Sequence, residues 1–191
     1  TISSWTIDWG DGTVETINGN PDTATHTYPD GPSAFVISAT VTDEDGTYSA
    51  NDHAVTVVNV EPERTIGGAN SVNEGSPFTL NLFAGNDPGE DTISSWTIDW
   101  GDGTVETVTG NPDSVVHTYS DGPNTFLITA TVTDEDGTYA ANDHAVTVVN
   151  VEPERTIGGA DAVSEGSPFT LSLFAGNDPG DDTISSWTID W

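Results

Sequence analysis

Apolar and polar residues alternate along most of the chain, in short runs that end at glycine, proline or aspartate. In the clearest run, Trp96, Ile98 and Trp100 alternate with polar residues, and Gly101-Asp102-Gly103 follows. Successive side chains of a strand point to opposite faces, so this pattern predicts a half-buried strand that ends in a tight turn. Weaker or similar runs occupy residues 65–73, 78–82, 104–108, 115–119, 126–132 and 138–151. About seven short strands without a helical period predict an antiparallel β-sandwich.

The tryptophan strand occurs three times. Residues 1–9 recur identically as residues 92–100 and 183–191, a period of 91 residues. A fixed period of that length predicts tandem domains, each with its own core. We predict that residues 1–60 are the C-terminal part of one repeat, 61–151 a complete repeat, and 152–191 the N-terminal part of a third. Both ends of the sequence fall inside the tryptophan strand, so we expect it to be a window of a longer array.

Charge limits the partners of this chain. It has 32 acidic residues against two Lys or Arg, a formal net charge of −30. Such a surface repels nucleic acid and anionic membranes, and no run of about 18 apolar residues predicts membrane insertion of this segment. The sequence has no cysteine, so packing or bound ions must supply the stability that disulfides give to other small domains.

Three motifs of the complete repeat resemble the PKD (polycystic kidney disease) domain family. They are Trp-Thr-Ile-Asp-Trp-Gly-Asp-Gly at 96–103, His-Thr-Tyr at 117–119 and Thr-Val-Thr-Asp-Glu-Asp-Gly at 131–137. The family has Trp-Asp-Phe-Gly-Asp-Gly, His-x-Tyr and Val-Thr-Asp-x-x-Gly in that order; this sequence departs from it at Ile98 and Trp100. The resemblance implies tandem immunoglobulin-like sandwiches in an extracellular spacer or adhesion module that is not a catalyst.

Acidic residues concentrate in loops that the immunoglobulin-like arrangement brings to one end of a repeat. These are the loop at 86–91 and the hairpin at 134–136, and the linker at 61–63 enters at the same end. Crowded oxygens without lysine favour a hard cation, and Ca2+ accepts six to eight oxygen ligands where Mg2+ keeps its waters. Counting the equivalent positions of the neighbouring repeats, the candidate ligands are Asp43, Asp45, Glu61, Glu63, Asn86, Asp87, Glu90, Asp91, Asp134, Asp136, Glu152, Glu154, Asp178 and Asp182.

The same residue types are also ordinary turn formers, and a solvated hairpin at 134–137 is the alternative interpretation. For Asp99 and Asp102 the turn and the polar strand face suffice, and a second acidic grouping of Asp102 with Asp121 would lie at the opposite end. His117 is expected to pack or hydrogen-bond beside Tyr119, because a zinc site would need clustered His or Cys ligands. Carboxylates repeated on sandwich loops, without a nucleophile partner, do not predict an enzyme.

Three functional hypotheses follow. The first is a repeat of a long extracellular or cell-surface fibre, stalk or adhesin shaft, with Ca2+ at its junctions. Its partners are adjacent repeats of the same chain, with lateral self-association into bundles. The second is a polysaccharide- or protein-binding accessory module of a secreted hydrolase, which requires an exposed row of aromatic residues. The third is a general adaptation of surface charge to high salt, without specific ion sites.

Overall fold

The structure is a computed structural model that describes residues 1–85, 88–89, 91–176, 178–180 and 182–191. Within these residues it contains sixteen strands and no helix, and therefore no helix that could cross a membrane. The strands before residue 61 are β1 (Ser4–Asp8), β2 (Val14–Asn18), β3 (Ser33–Thr42), β4 (Thr47–Ser49) and β5 (His53–Val57). Those from 61 to 151 are β6 (Arg64–Gly68), β7 (Ser71–Asn73), β8 (Pro77–Ala84), β9 (Ser95–Asp99), β10 (Val105–Thr109), β11 (Ser114–Thr118), β12 (Asn124–Thr133), β13 (Thr138–Ala140) and β14 (His144–Val149). The last two are β15 (Arg155–Gly159) and β16 (Leu171–Ala175).

Residues 61–151 form an immunoglobulin-like β-sandwich, as the alternating pattern predicts. One sheet has the order β10-β9-β12-β14-β7, with β13 paired to β12, and the other has the order β11-β8-β6. Alternate side chains of these strands are buried and make the core: Phe78, Leu80, Leu82, Trp96, Ile98, Ile128, Ala130, Val132, Val146 and Val148. The strands before residue 61 form a sheet of order β2-β1-β3-β4, with β5 paired to β3.

Two stretches predicted as single strands are each two strands. The stretch 65–73 divides into β6, which belongs to the sheet of β8, and β7, which pairs in parallel with β14 in the other sheet. The stretch 138–151 likewise divides into β13 and β14. Period-two alternation reports which face of a strand is buried, but it carries no signal for the residue at which the chain crosses between sheets.

The described residues form two compact units. The first comprises Thr1–Glu63, Ala84–Ser94 and Thr133–Tyr139, and the second comprises Arg64–Phe83, Ser95–Val132 and Ala140–Trp191. The units group residues by packing, and the repeat boundaries that the sequence suggests, at residues 61 and 152, stay a prediction. The first unit contains the described part of the loop at 85–91 and the hairpin at 134–137, which are the two acidic segments of the sequence analysis.

Candidate metal centres

The first acidic cluster lies in the first unit and joins three turns. Asp30 follows β2 and precedes β3, Asp91 precedes β9, and Asp136 lies in the hairpin between β12 and β13. One carboxylate oxygen from each of these residues lies within 4.8 Å of the others. Burial raises the pKa of Asp91 and of Asp136 above the ordinary value, and the neighbouring carboxylates, Asp30 among them, raise both further. The three turns therefore concentrate negative charge that a cation would relieve.

Asp134 stands beside this cluster and is the most buried of those predicted ligands that the structure describes. The residue is 7% exposed, and its Oδ1 accepts hydrogen bonds from the backbone N–H groups of Asp136 at 2.9 Å and Gly137 at 2.8 Å. Its Oδ2 is buried and has no hydrogen-bond partner among the described residues. The charge of Asp134 contributes to the raised pKa values of both Asp91 and Asp136. A buried carboxylate oxygen without a partner is costly, and it is the kind of atom that a bound cation satisfies.

Glu135 connects the hairpin to the acidic loop. Its two carboxylate oxygens accept hydrogen bonds from the Thr92 backbone N–H at 2.8 Å and the Thr92 hydroxyl at 3.3 Å. The bond from the Thr92 N–H is the main cause that lowers the pKa of Glu135. Glu135 thus stays ionised and fixes the end of the loop that carries Asp91, a positioning role that the sequence analysis did not identify.

The second acidic cluster lies in the second unit and consists of Glu74, Asp121 and Asp182, again with carboxylate oxygens within 4.8 Å of one another. Glu74 is 1% exposed and accepts hydrogen bonds at 2.7 Å from the backbone N–H groups of Gly122 and Val151. Burial raises the pKa of Asp182, with further contributions from Glu74, Asp121 and Asp178. Oδ1 of Asp178 is buried without a hydrogen-bond partner in the part of the chain that the structure describes.

The predicted ligands divide into three groups. Asp91, Asp136 and Asp182 belong to the clusters, and the charges of Asp134 and Asp178 act on them. Neither cluster, as far as the described residues define it, includes Asp43, Asp45, Glu61, Glu63, Glu152 or Glu154. Asn86, Asp87 and Glu90 lie outside the described residues. That these residues bind a metal stays a prediction.

The linker glutamates make other interactions. The backbone carbonyl of Glu63 accepts a hydrogen bond from Gly85 N–H, and that of Glu154 accepts one from Gly176 N–H, both at 2.6 Å. The carboxylate of Glu152 pairs with Arg155 at 2.7 Å. The charge of Glu61 raises the pKa of Tyr139, but less than burial and Asp134 do.

Asp30, Glu74 and Asp121 are cluster residues that the sequence analysis missed. Asp121 was grouped with Asp102, whereas the structure brings it to Glu74 and Asp182. The available signal was the Asp-Gly-Pro turn, which occurs at residues 30–32 and again at 121–123. Glu74 gives no such signal, because its burial depends on backbone donors from two distant segments.

Asp102 instead belongs to an aromatic ladder inside the sandwich. Its Oδ2 lies 2.7 Å from Nε2 of His117, whose ring stacks on Trp100 at a centroid distance of 4.6 Å. The Tyr119 hydroxyl donates a hydrogen bond to the Trp100 carbonyl at 3.0 Å, and its ring stacks on Phe126. The same ladder recurs before residue 61 as Asp11, Trp9, His26, Tyr28 and Phe35. These contacts account for His117 and Asp102 as packing residues.

Comparison with known proteins agrees with the motifs of the sequence. Residues 59–149 match the model of the PKD domain family. Among solved structures, the chain is similar to the fibronectin(III)-like modules of CbhA from Clostridium thermocellum, with 16% identity over 77% of each chain and a TM-score of 0.35. No curated protein matches the sequence. The family model and the three sequence motifs therefore agree that residues 59–149 are similar to PKD domains.

Proposed function

We propose that this chain is part of the shaft of an extracellular or cell-surface fibre, stalk or adhesin, in which Ca2+ binds where successive repeats meet and stiffens the array. The observation that carries the proposal is the unpartnered, buried Oδ2 of Asp134 beside the cluster of Asp30, Asp91 and Asp136. In this proposal the chain has no catalytic role of its own.

The donor set favours Ca2+ over other cations. All six residues of the two clusters are carboxylates, which are hard oxygen donors, and two oxygens bound to one Ca2+ lie at most about 5 Å apart. The oxygens of Asp30, Asp91 and Asp136 lie within 4.8 Å of one another, which fits that limit. Zinc prefers nitrogen ligands, and neither described cluster includes a histidine; Nε2 of His26 pairs with Asp11 and Nε2 of His117 pairs with Asp102.

The sequence supplies little positive charge that could replace a metal. Its two Lys or Arg residues are Arg64 and Arg155. Arg155 pairs with Glu152, and Arg64 donates a hydrogen bond to the Ala140 carbonyl at 2.8 Å. Three turns carrying carboxylates would therefore repel one another unless protons or cations are bound.

The position of the cluster connects it to stiffness. Asp30 belongs to the segment assigned to one repeat, whereas Asp91 and Asp136 belong to the next. An ion shared by these residues cross-links consecutive repeats without any disulfide. Lateral association of such shafts into bundles would also need cations, because surfaces of like charge repel at low ionic strength.

An accessory role in binding polysaccharide is less well supported. That role needs an exposed row of aromatic side chains, and the tryptophans of the complete repeat, Trp96 and Trp100, are buried at 0% and 1% exposure. Among its described residues, Phe83 is the one aromatic residue that is largely exposed.

The test is a calcium titration of the 191-residue chain by isothermal calorimetry, with melting temperature followed in Ca2+ and in EDTA. Free Ca2+ at about 100 times Kd would raise the free energy of unfolding by about 2.7 kcal/mol. The melting temperature would then rise by several degrees. Asp136→Asn should abolish the part of this rise that comes from the cluster of Asp30, Asp91 and Asp136. Asp45→Asn is the matched control, because Asp45 occupies the same turn position 91 residues earlier, is exposed like Asp136, and belongs to neither described cluster. Equal melting temperatures in Ca2+ and EDTA would refute the proposal.

A further inference from the structure

The two acidic clusters contain the same pair of residues at successive positions of the repeat. Asp121 follows Asp30 by 91 residues, and Asp182 follows Asp91 by 91 residues. In each unit the pair comes together with a third carboxylate within 4.8 Å. The pairing is therefore a property of the repeat and occurs at two independent places in the chain.

The third carboxylate differs between the clusters. In the first it is Asp136, which belongs to the same predicted repeat as Asp91; in the second it is Glu74, which belongs to the same predicted repeat as Asp121. The counterpart of Glu74 for the first cluster would fall before residue 1. The counterpart of Asp136 for the second would fall after residue 191. Each cluster therefore contains the third ligand that the other one lacks.

We propose, on the basis of the proposed function, that the two clusters are partial copies of one composite Ca2+ site to which consecutive repeats each contribute. The earlier repeat supplies the buried glutamate and the aspartate of the Asp-Gly-Pro turn, represented by Glu74 and Asp121. The later repeat supplies the carboxylates represented by Asp91, Asp134 and Asp136, together with the position of Asp178. Neither repeat holds the full ligand set alone.

Buried oxygens without partners occur at both clusters and support this assignment. Asp134 Oδ2 stands beside the first cluster, and Asp178 Oδ1 stands beside the second. The two residues come from different loops of the repeat, the hairpin after β12 and the acidic loop after β16. A complete site would thus bring together five or six carboxylates, which supply the six to eight oxygens that Ca2+ requires.

Glu74 has a special position in this site, because it also holds the backbone of its own repeat. Its two oxygens accept the N–H groups of Gly122, in the Asp-Gly-Pro turn, and Val151, at the start of the linker. Each carboxylate oxygen can accept a second interaction, so both remain able to bind a cation. An ion on Glu74 therefore ties the linker, the turn and the acidic loop of the following repeat to one point.

Completing the site provides the sharpest test. A chain extended after Trp191 by a second copy of residues 101–151 continues the period and adds counterparts of Asp134 and Asp136 to the second cluster. In calorimetry, the Asp121-dependent site is the binding step that disappears in Asp121→Asn. The Kd of this step for Ca2+ should fall at least tenfold when the chain is extended. The control is the same extended chain with both added aspartates replaced by asparagine, which should show no gain.

Two matched pairs of variants assign the ligands in the 191-residue chain. Asp30→Asn and Asp121→Asn should each remove a different part of the calcium binding. Glu74→Gln should weaken the Asp121-dependent part at least tenfold, whereas Glu165→Gln, the same position one repeat later and exposed, should leave it unchanged. If Glu74→Gln does not fold, the comparison of original and extended chains still decides.

The outcomes separate this inference from the proposed function. Unchanged affinity after extension, with Asp30-dependent binding intact, overturns the composite site but leaves calcium binding by the array standing. If neither the original nor the extended chain binds calcium, the composite site and the proposed function are both overturned.

Discussion

Individual aspartates of this chain, although similar in sequence context, have opposite electrostatic environments. Burial raises the pKa of Asp91 and Asp136, and neighbouring carboxylates add to that effect. Burial also opposes ionisation of Asp102, but hydrogen bonds from Thr104 and His117 outweigh it and keep its pKa below the ordinary value. The sequence predicted that Asp134 and Asp136 would lie in an acidic hairpin. It did not show that Asp102 pairs with His117, because the two residues lie 15 positions apart in the sequence.

The first prediction concerns Asp102. Its lowered pKa contributes stability that is present above the unfolded value near 3.8 and is lost as the pH falls through the folded value. Asp102→Asn should therefore reduce the free energy of unfolding at pH 7 by on the order of 1–2 kcal/mol, and the loss should shrink in acid. Urea denaturation against pH measures both effects. Asp113→Asn, an exposed position with the same change of charge, should cost little, and equal losses in the two variants would contradict the argument.

The second prediction concerns the raised pKa values of Asp91 and Asp136. Without calcium these groups hold protons to a higher pH in the folded state, so protonation stabilises the fold as the pH falls towards 3.8. Calcium binds only the ionised forms, so binding should release protons in this window. The difference in melting temperature between Ca2+ and EDTA should then shrink as the pH falls towards 3.8. A difference that stays constant down to pH 4 would count against these ligands.

At the scale of the strands, alternation predicted most of the sandwich but not the path between its sheets. The strands β8, β9, β11 and β12 lie where the apolar periodicity indicated. The division into β6 and β7 was missed. Gly68 lies where a Cβ atom would come within 2.9 Å of the Phe78 ring and of the Thr79 carbonyl oxygen. That close approach is a tertiary contact, and a glycine pair by itself does not reveal it.

The third prediction tests the turn between β9 and β10. Gly101 and Gly103 both have positive φ, at 80° and 96°, so alanine should cost about 1–2 kcal/mol at either position. A Cβ on Gly101 would also lie 2.6 Å from the Leu127 carbonyl oxygen, whereas one on Gly103 meets nothing within 4 Å. Gly101→Ala should therefore destabilise more than Gly103→Ala in urea denaturation. Equal costs would mean that the approach to β12 does not constrain the turn.

At the scale of the whole molecule, a formal net charge of −30 could reflect general salt adaptation or specific ion sites. Screening by salt acts on all exposed charges, whereas coordination acts only where oxygens converge. The clustering of Asp30, Asp91 and Asp136, and separately of Glu74, Asp121 and Asp182, favours sites. Composition and the sequence period indicated an acidic tandem array. They did not identify which carboxylates come together, because the residues of each cluster lie far apart along the chain.

The fourth prediction separates these explanations. Millimolar Ca2+ should raise the melting temperature in 1 M NaCl, where long-range repulsion is already screened, because the buried oxygens of Asp134 and Asp178 are not reached by diffuse counterions. NaCl at the same ionic strength without Ca2+ should not reproduce the rise. Calorimetry should give a small integer of Ca2+ per junction. If salt alone supplies the whole stabilisation, the charge is a solvent adaptation.

The parallel pairing of β7 with β14 has a mechanical consequence. Ser71, Val72 and Asn73 lie opposite Thr147, Val148 and Val149, which joins an early strand of the repeat to its last one. Tension applied to the two ends of a repeat pulls such strands past each other, so their hydrogen bonds are loaded together rather than opened one at a time. In the proposed shaft, each repeat should resist stretching until the hydrogen bonds between these two strands break together, and single-molecule pulling should show one dominant rupture per repeat.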